Sequence, residues 1–268
     1  MERKKLVLFL VCFVLLPSWA FTETLDWNNP WPPSSPFPQF VRKDYLPLSE
    51  MESITKFRSG VGHDYSDQYE SKRSMKHYYA PKPQYREGNG TNHDLKVFSP
   101  INGTIKDIKP ESRILSNGQF QGYQIHLSPD NYQMFDVILF HVNYLAGISV
   151  DLHVTAGTWL GYADMRESYT SDIAVACVYA APPVNDWGGP PDRGLKYLSV
   201  FQVMDAALFA QYQKRGISDR TQPIISKEFR DAHPVTDWMS YNPDDWVVLL
   251  PAAPDAANLA PALLLLDQ

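Results

Sequence analysis

Between residues 96 and 179 short apolar-rich runs are punctuated by glycine and turn residues, a spacing that predicts strands. The runs fall at about 96–108, 122–128, 135–142, 152–163 and 171–179. Gly122-Tyr123-Gln124-Ile125-His126-Leu127 alternates as a half-buried strand does, and Ser128-Pro129-Asp130-Asn131 is turn chemistry. Residues 195–204 read as one more strand. Asp205 then caps a helix running to about Arg215, with Gly216 at its end. Met204, Leu208 and Tyr212 recur at four-residue spacing on that helix, which predicts a core stripe. The fold class expected is mostly β, with a short C-terminal helix and loop-rich extensions.

Segments outside these runs set the organisation. Residues 29–38 are too rich in proline for a helix or a central strand, and read as an extended lead whose Trp and Phe pack onto the domain. Loops are expected at 85–92 and 181–194. Arg3, Lys4 and Lys5 precede the unbroken apolar run 6–16, and small residues follow at Ser18 and Ala20. This is the pattern of a signal peptide cleaved after Ala20, with too few apolar residues to span a bilayer. The expected divisions are 1–20 signal peptide, 21–56 lead, 57–180 β domain, 181–250 extension and 251–268 an Ala/Leu/Pro-rich tail.

An export signal implies a secreted or extracytoplasmic protein with no stable membrane span after cleavage. Without residues 1–20 the chain keeps 21 Lys+Arg against 29 Asp+Glu, a net charge of −8. That balance argues against nucleic acid as a partner. Cys177 is then the one remaining cysteine, so no intramolecular disulfide forms, and its apolar setting reads as a buried small hydrophobe.

The candidate chemistry lies in His63 and Asp67, spaced H-x-x-x-D, ahead of the ordered β runs. Both residue types bind borderline metals such as zinc, which needs three protein ligands and an open position for hydrolysis. Pro100-Ile101-Asn102-Gly103-Thr104-Ile105 follows, then His141 in Leu139-Phe140-His141-Val142, then the hairpin pattern Val154-Thr155-Ala156-Gly157-Thr158-Trp159-Leu160-Gly161. In this order the four elements resemble the lysostaphin/LytM-type zinc metalloendopeptidases, over about residues 60–178. The resemblance implies a duplicated-hybrid-motif, sandwiched-barrel domain. In it His63 and Asp67 would be zinc ligands, and His141 would steady an oxyanion or move a proton.

The family's closing H-x-H departs here. The register lays it on Asp172-Ile173-Ala174, with Asp172 in place of a catalytic His and Ala174 in place of the third ligand. Alanine cannot bind metal. Three readings of the pair follow: a degenerate site without catalytic zinc, a rearranged site completed by Asp172 or His77, or a chance spacing. His141 also has a plain structural reading, as a core histidine on the face of Val137 and Leu139. Lipoyl or biotinyl carriers and glucose-type phosphocarriers share the β pattern. The first need a lysine at a hairpin tip, and Lys76 precedes the first of these strands; the second need a cytoplasmic donor.

The function expected is a degenerate peptidase-like module that binds a cell-wall peptide or glycan or regulates in the envelope. Tyr65, Tyr69, Tyr78 and Tyr79 are candidate groove aromatics. The alternative is an active zinc metalloendopeptidase cutting a cell-wall peptide.

Overall fold

The computed structural model of the protein describes residues 25–86, 94–185, 188–238 and 240–251. The expected signal peptide, His93 and residues 252–268 of the tail lie outside the described residues. Eleven strands form one sheet: β1 (Met51–Thr55), β2 (His77–Pro81), β3 (Lys96–Phe98), β4 (Gly103–Pro110), β5 (Tyr123–Pro129), β6 (Phe135–Tyr144), β7 (His153–Val154), β8 (Trp159–Ala163), β9 (Ser171–Tyr179), β10 (Gly194–Leu198) and β11 (Trp246–Val248). The main path is β11-β1-β2-β9-β6-β5-β4-β7, with β10 joined to β9 and β8 joining β6 to β3. Every pairing between these strands is antiparallel. The described residues are mostly β, as the short apolar runs predict.

β9 is the hub. It pairs with β6 along one edge and, along the other, with β2 at its start and β10 at its end. Its two faces bury different side chains. Ile173, Val175 and Cys177 join Val137 and Leu139 in the main core, beneath Phe201, Leu208 and Tyr212. Ala174 turns the other way, against Ile138 and Phe140. Each buried Val or Ile stabilises the sheet by roughly 1.5–3 kcal/mol.

Several elements differ from the pattern-based expectation. The strand predicted at 195–204 stops at Leu198, because Ser199 caps a helix, α1 (Val200–Val203). Ser199 Oγ accepts from the Phe201 amide at 3.3 Å while Gln202 Oε1 accepts from the Ser199 amide at 3.0 Å, so a reciprocal cap overrides the β-branched run. β1 lies inside the segment read as a lead, and β10 and β11 inside the extension, so the sheet runs through both boundaries of 57–180. β2 escapes the alternation rule because all five of its residues are buried.

The expected helix forms as α2 (Ala206–Lys214), with the Asp205 carboxylate accepting from the Leu208 amide at 2.7 Å. A short α3 (Lys227–Ala232) follows. In the lead, Trp31 and Phe40 meet the Phe135 ring edge-on at 5.4 and 5.2 Å, so its aromatics do pack on the domain.

Candidate functional site

A bulge aims the first functional side chain. Tyr123 pairs with Val142 but Ile125 with Leu139, so Phe140 and His141 together oppose Gln124. His141 takes the left-handed conformation, φ 57°, which His adopts more readily than most residues. Val142, not His141, therefore continues the buried face of Val137 and Leu139. Gly122, φ 69°, makes room: a Cβ there would stand 2.7 Å from the His141 carbonyl carbon. His141 is thus turned off the core face and lines a cleft of about 680 Å³.

The cleft's floor is ionic. Lys76, just before β2, and Asp172, on β9, form an ion pair of 2.8 Å with side chains only 4% and 2% exposed. The Lys76 ammonium also sits 3.5 Å from the Phe140 ring centre and 4.1 Å from that of Tyr65. The other oxygen of Asp172 faces His141 Nε2 at 3.5 Å. His141 Nδ1 lies 3.1 Å from the Gln121 carbonyl, which only accepts, so Nδ1 carries a proton. Buried Glu111 completes this wall, accepting from the His141 amide at 3.1 Å and from Gln124 Nε2 at 3.0 Å.

The mouth lies between residues 111–121 and 164–170, which are laced together. Arg113 Nη2 donates to the Glu167 carbonyl at 2.7 Å, and Arg166 Nη1 to Gln119 at 2.7 Å. Glu167 in turn accepts from the Ser116 amide at 2.9 Å. Tyr169, 63% exposed, stands at this rim.

The four residues predicted as metal ligands do not all converge. His63 lines the cleft, exposed, its Nδ1 2.9 Å from the Asp64 carbonyl. Asp67 is fully buried and its carboxylate accepts three backbone amides, from Tyr69 at 2.7 Å, Glu70 at 2.8 Å and Tyr197 at 2.9 Å. It ties a turn to β10 and has no face toward the cleft lining. Burial raises its carboxyl to about 6, with those amides pulling the other way. His77 alternates with Lys76 and Tyr78, so it points through the sheet; its Nδ1 is 2.7 Å from the Thr55 carbonyl and its Nε2 2.7 Å from Ser199 Oγ. Burial lowers it to about 4.

Of the predicted set, His63, His141 and Asp172 share the cleft, while Asp67 and His77 are committed elsewhere. Ala174 packs in an apolar cluster. Among the described residues no three His, Cys, Asp or Glu side chains are grouped to hold a metal ion. The lysine ammonium on Asp172 and the saturated Asp67 do not fit a zinc centre built on the H-x-x-x-D pair.

Tyr65 and Tyr78 of the proposed groove aromatics do line the cleft. Tyr79 instead belongs to the main core, and Tyr69 donates to the Ala181 carbonyl at 2.7 Å. Gly62, φ 81°, lies against the Tyr78 ring, where a Cβ would come within 2.6 Å of Cζ. Sequence reasoning missed Lys76 and Glu111. Their signal was weak: charged residues at the margins of buried strands, with partners 96 and 30 residues away. Cys177 is buried as expected, and burial pushes its thiol well up.

The site and fold together define an antiparallel, mostly β protein with a cleft that holds a buried ion pair and is rimmed by two loops. No protein-family model matches the chain, and no curated protein does. Two solved structures are similar in part. The solution structure of lysostaphin is 14% identical over 38% of this chain and 36% of its own, with a TM-score of 0.27. The crystal structure of cbpa from L. salivarius REN is 11% identical over 35% of this chain and 61% of its own, with a TM-score of 0.21. The chain thus spans about a third and about three fifths of these two, and neither likeness is close enough to carry an argument about activity.

Proposed function

We propose that this chain is an exported, peptidase-like β domain that binds a cell-envelope polymer in the His141–Asp172 cleft without zinc hydrolysis. One observation carries the reading. The carboxylate that would complete a rearranged zinc site is already neutralised, at 2.8 Å, by the buried ammonium of Lys76. A divalent ion beside that ammonium would meet like charge, and Asp67 would have to abandon three amides to join it. Support for export is the basic-then-apolar start of the chain. No helix among the described residues is long and apolar enough to cross a membrane.

The test is metal content and polymer retention on one preparation, purified without chelator, beside a His63→Ala variant. The reading expects retention of insoluble wall polymer by both proteins and less than a tenth of an equivalent of zinc in either. One equivalent of zinc that vanishes in the variant, together with release of soluble wall fragments, would instead establish the zinc endopeptidase.

A further inference from the structure

Lys76 and Asp172 meet in a setting unlike that of a surface salt bridge. Nζ lies 2.8 Å from Oδ2 with the two side chains 4% and 2% exposed, so the amine stands one C–O bond away from the carboxyl carbon. The rings of Phe140 and Tyr65, centred 3.5 and 4.1 Å from Nζ, take the place of the water that would solvate both charges. Sheet register fixes the encounter: Tyr78 pairs with Asp172, and Lys76 lies two residues before Tyr78 on the same face. Groups held together this way react as though one were present at about 10⁵ M or more. His141 stands on the cleft side, its Nε2 3.5 Å from Oδ1, the other carboxylate oxygen.

We propose that Lys76 and Asp172 condense within the folded chain into an amide that joins Nζ to Cγ. A proton passes from the ammonium to the carboxylate, the free amine attacks Cγ, and Oδ1 departs as water into the cleft. Nζ gives up two of its three hydrogens and the carboxylate one oxygen, which together make that water. No oxidant, reductant or co-reactant enters. His141 carries the second proton from nitrogen to Oδ1. A protonated ring delivers to Oδ1 first and is refilled from nitrogen, whereas a neutral ring collects first, so either state serves. The product replaces two buried charges by one neutral amide and removes their desolvation cost.

The bond braces a narrow point of the sheet. β2 meets β9 at three residue pairs, against five for each of β6 and β10, and β1 and β11 attach through β2. Cys177 is the one cysteine outside residues 1–20, so no disulfide within 21–268 can do this work. The cross-link is independent of what the cleft binds.

Mass spectrometry of the full chain tests it. The denatured protein is expected to fall one water short of the mass its sequence dictates. Trypsin is expected to leave the bond after Lys76 uncut and to release a branched peptide joining 74–86 to 167–193. Lys76→Arg keeps a cation beside Asp172 that cannot shed its proton to attack, so it should show the full mass and release the two segments separately. His141→Asn keeps a residue that tolerates the left-handed backbone, and should slow linking in freshly synthesised chain by roughly a hundredfold. Full mass in the native chain, with 74–76 and 167–193 recovered apart, overturns the proposal and leaves a buried ion pair only. Loss of water mapped to any other residue overturns it equally. An unchanged rate in His141→Asn strikes His141 from the step.

Discussion

Replacing Lys76 by Met removes the ammonium while keeping most of the stem's volume, and so isolates what the charge contributes. At 2.8 Å and an effective dielectric of about 20 the bare attraction to Asp172 is roughly 6 kcal/mol, most of it offset by the desolvation of both groups. Taking one partner away leaves the other buried and unpaired, which costs about 3–5 kcal/mol. The lost contacts with Phe140 and Tyr65, at 3.5 and 4.1 Å, contribute up to about 2 kcal/mol of this difference. Urea unfolding followed by circular dichroism measures the total as a fall in midpoint at constant slope. The double variant Lys76→Met with Asp172→Leu removes both charges, and is expected to lose at least about 2 kcal/mol less than the two single losses added together. A loss below about 1 kcal/mol for Lys76→Met, or strict additivity, would refute a buried, coupled pair. It would also remove the reason for denying the cleft a second cation.

Three further outcomes follow from neighbouring groups. His77 sits near 4 in the fold against about 6.5 unfolded, so falling pH protonates the unfolded chain first. Its contribution, about 3 kcal/mol, is complete above 6.5 and lost as pH falls toward 4; His77→Gln should flatten the pH–stability curve across that window, and an unchanged slope would contradict the assignment. Asp67→Ala strips a partner from three backbone amides and is expected to cost about 2–4 kcal/mol by urea titration, with zinc content, read by mass spectrometry, the same as native. A stable Asp67→Ala protein that has lost a bound metal would show the ligand role instead. Gly62→Ala sets a Cβ against the Tyr78 ring at φ 81° and should lower stability by more than about 1 kcal/mol in a thermal melt; a melt within error of native would mean the ring yields freely.

What the sequence made legible was whatever depends on local pattern. Alternation located β5, apolar runs of strand length located β6 and β9, and the Asp205 cap located α2, because each is decided within a few residues of itself. Parity was the point of failure. One of the two readings of His141, counting by twos, set it with Val137 and Leu139 in the core, and that count is right until the bulge opposite Gln124 adds a residue. Nothing in Leu139-Phe140-His141-Val142 announces that bulge; it depends on Gly122 giving way across the strand pair. His63 and Asp67 part company for a related reason. The H-x-x-x-D spacing fixes only how far apart His63 and Asp67 lie along the chain, whereas the Asp67 carboxylate is claimed by the amide of Tyr197, 130 residues on. Asp172 was placed on a strand, 171–179, that forms as β9, on the same face as Ala174. Its partner Lys76 was not, because β2 is buried on both faces and carries no period to read. The cleft's chemistry therefore turns on cross-strand neighbours. A substitution at Gly122 should disturb His141 more than one at Leu139, which is two residues away from it in sequence.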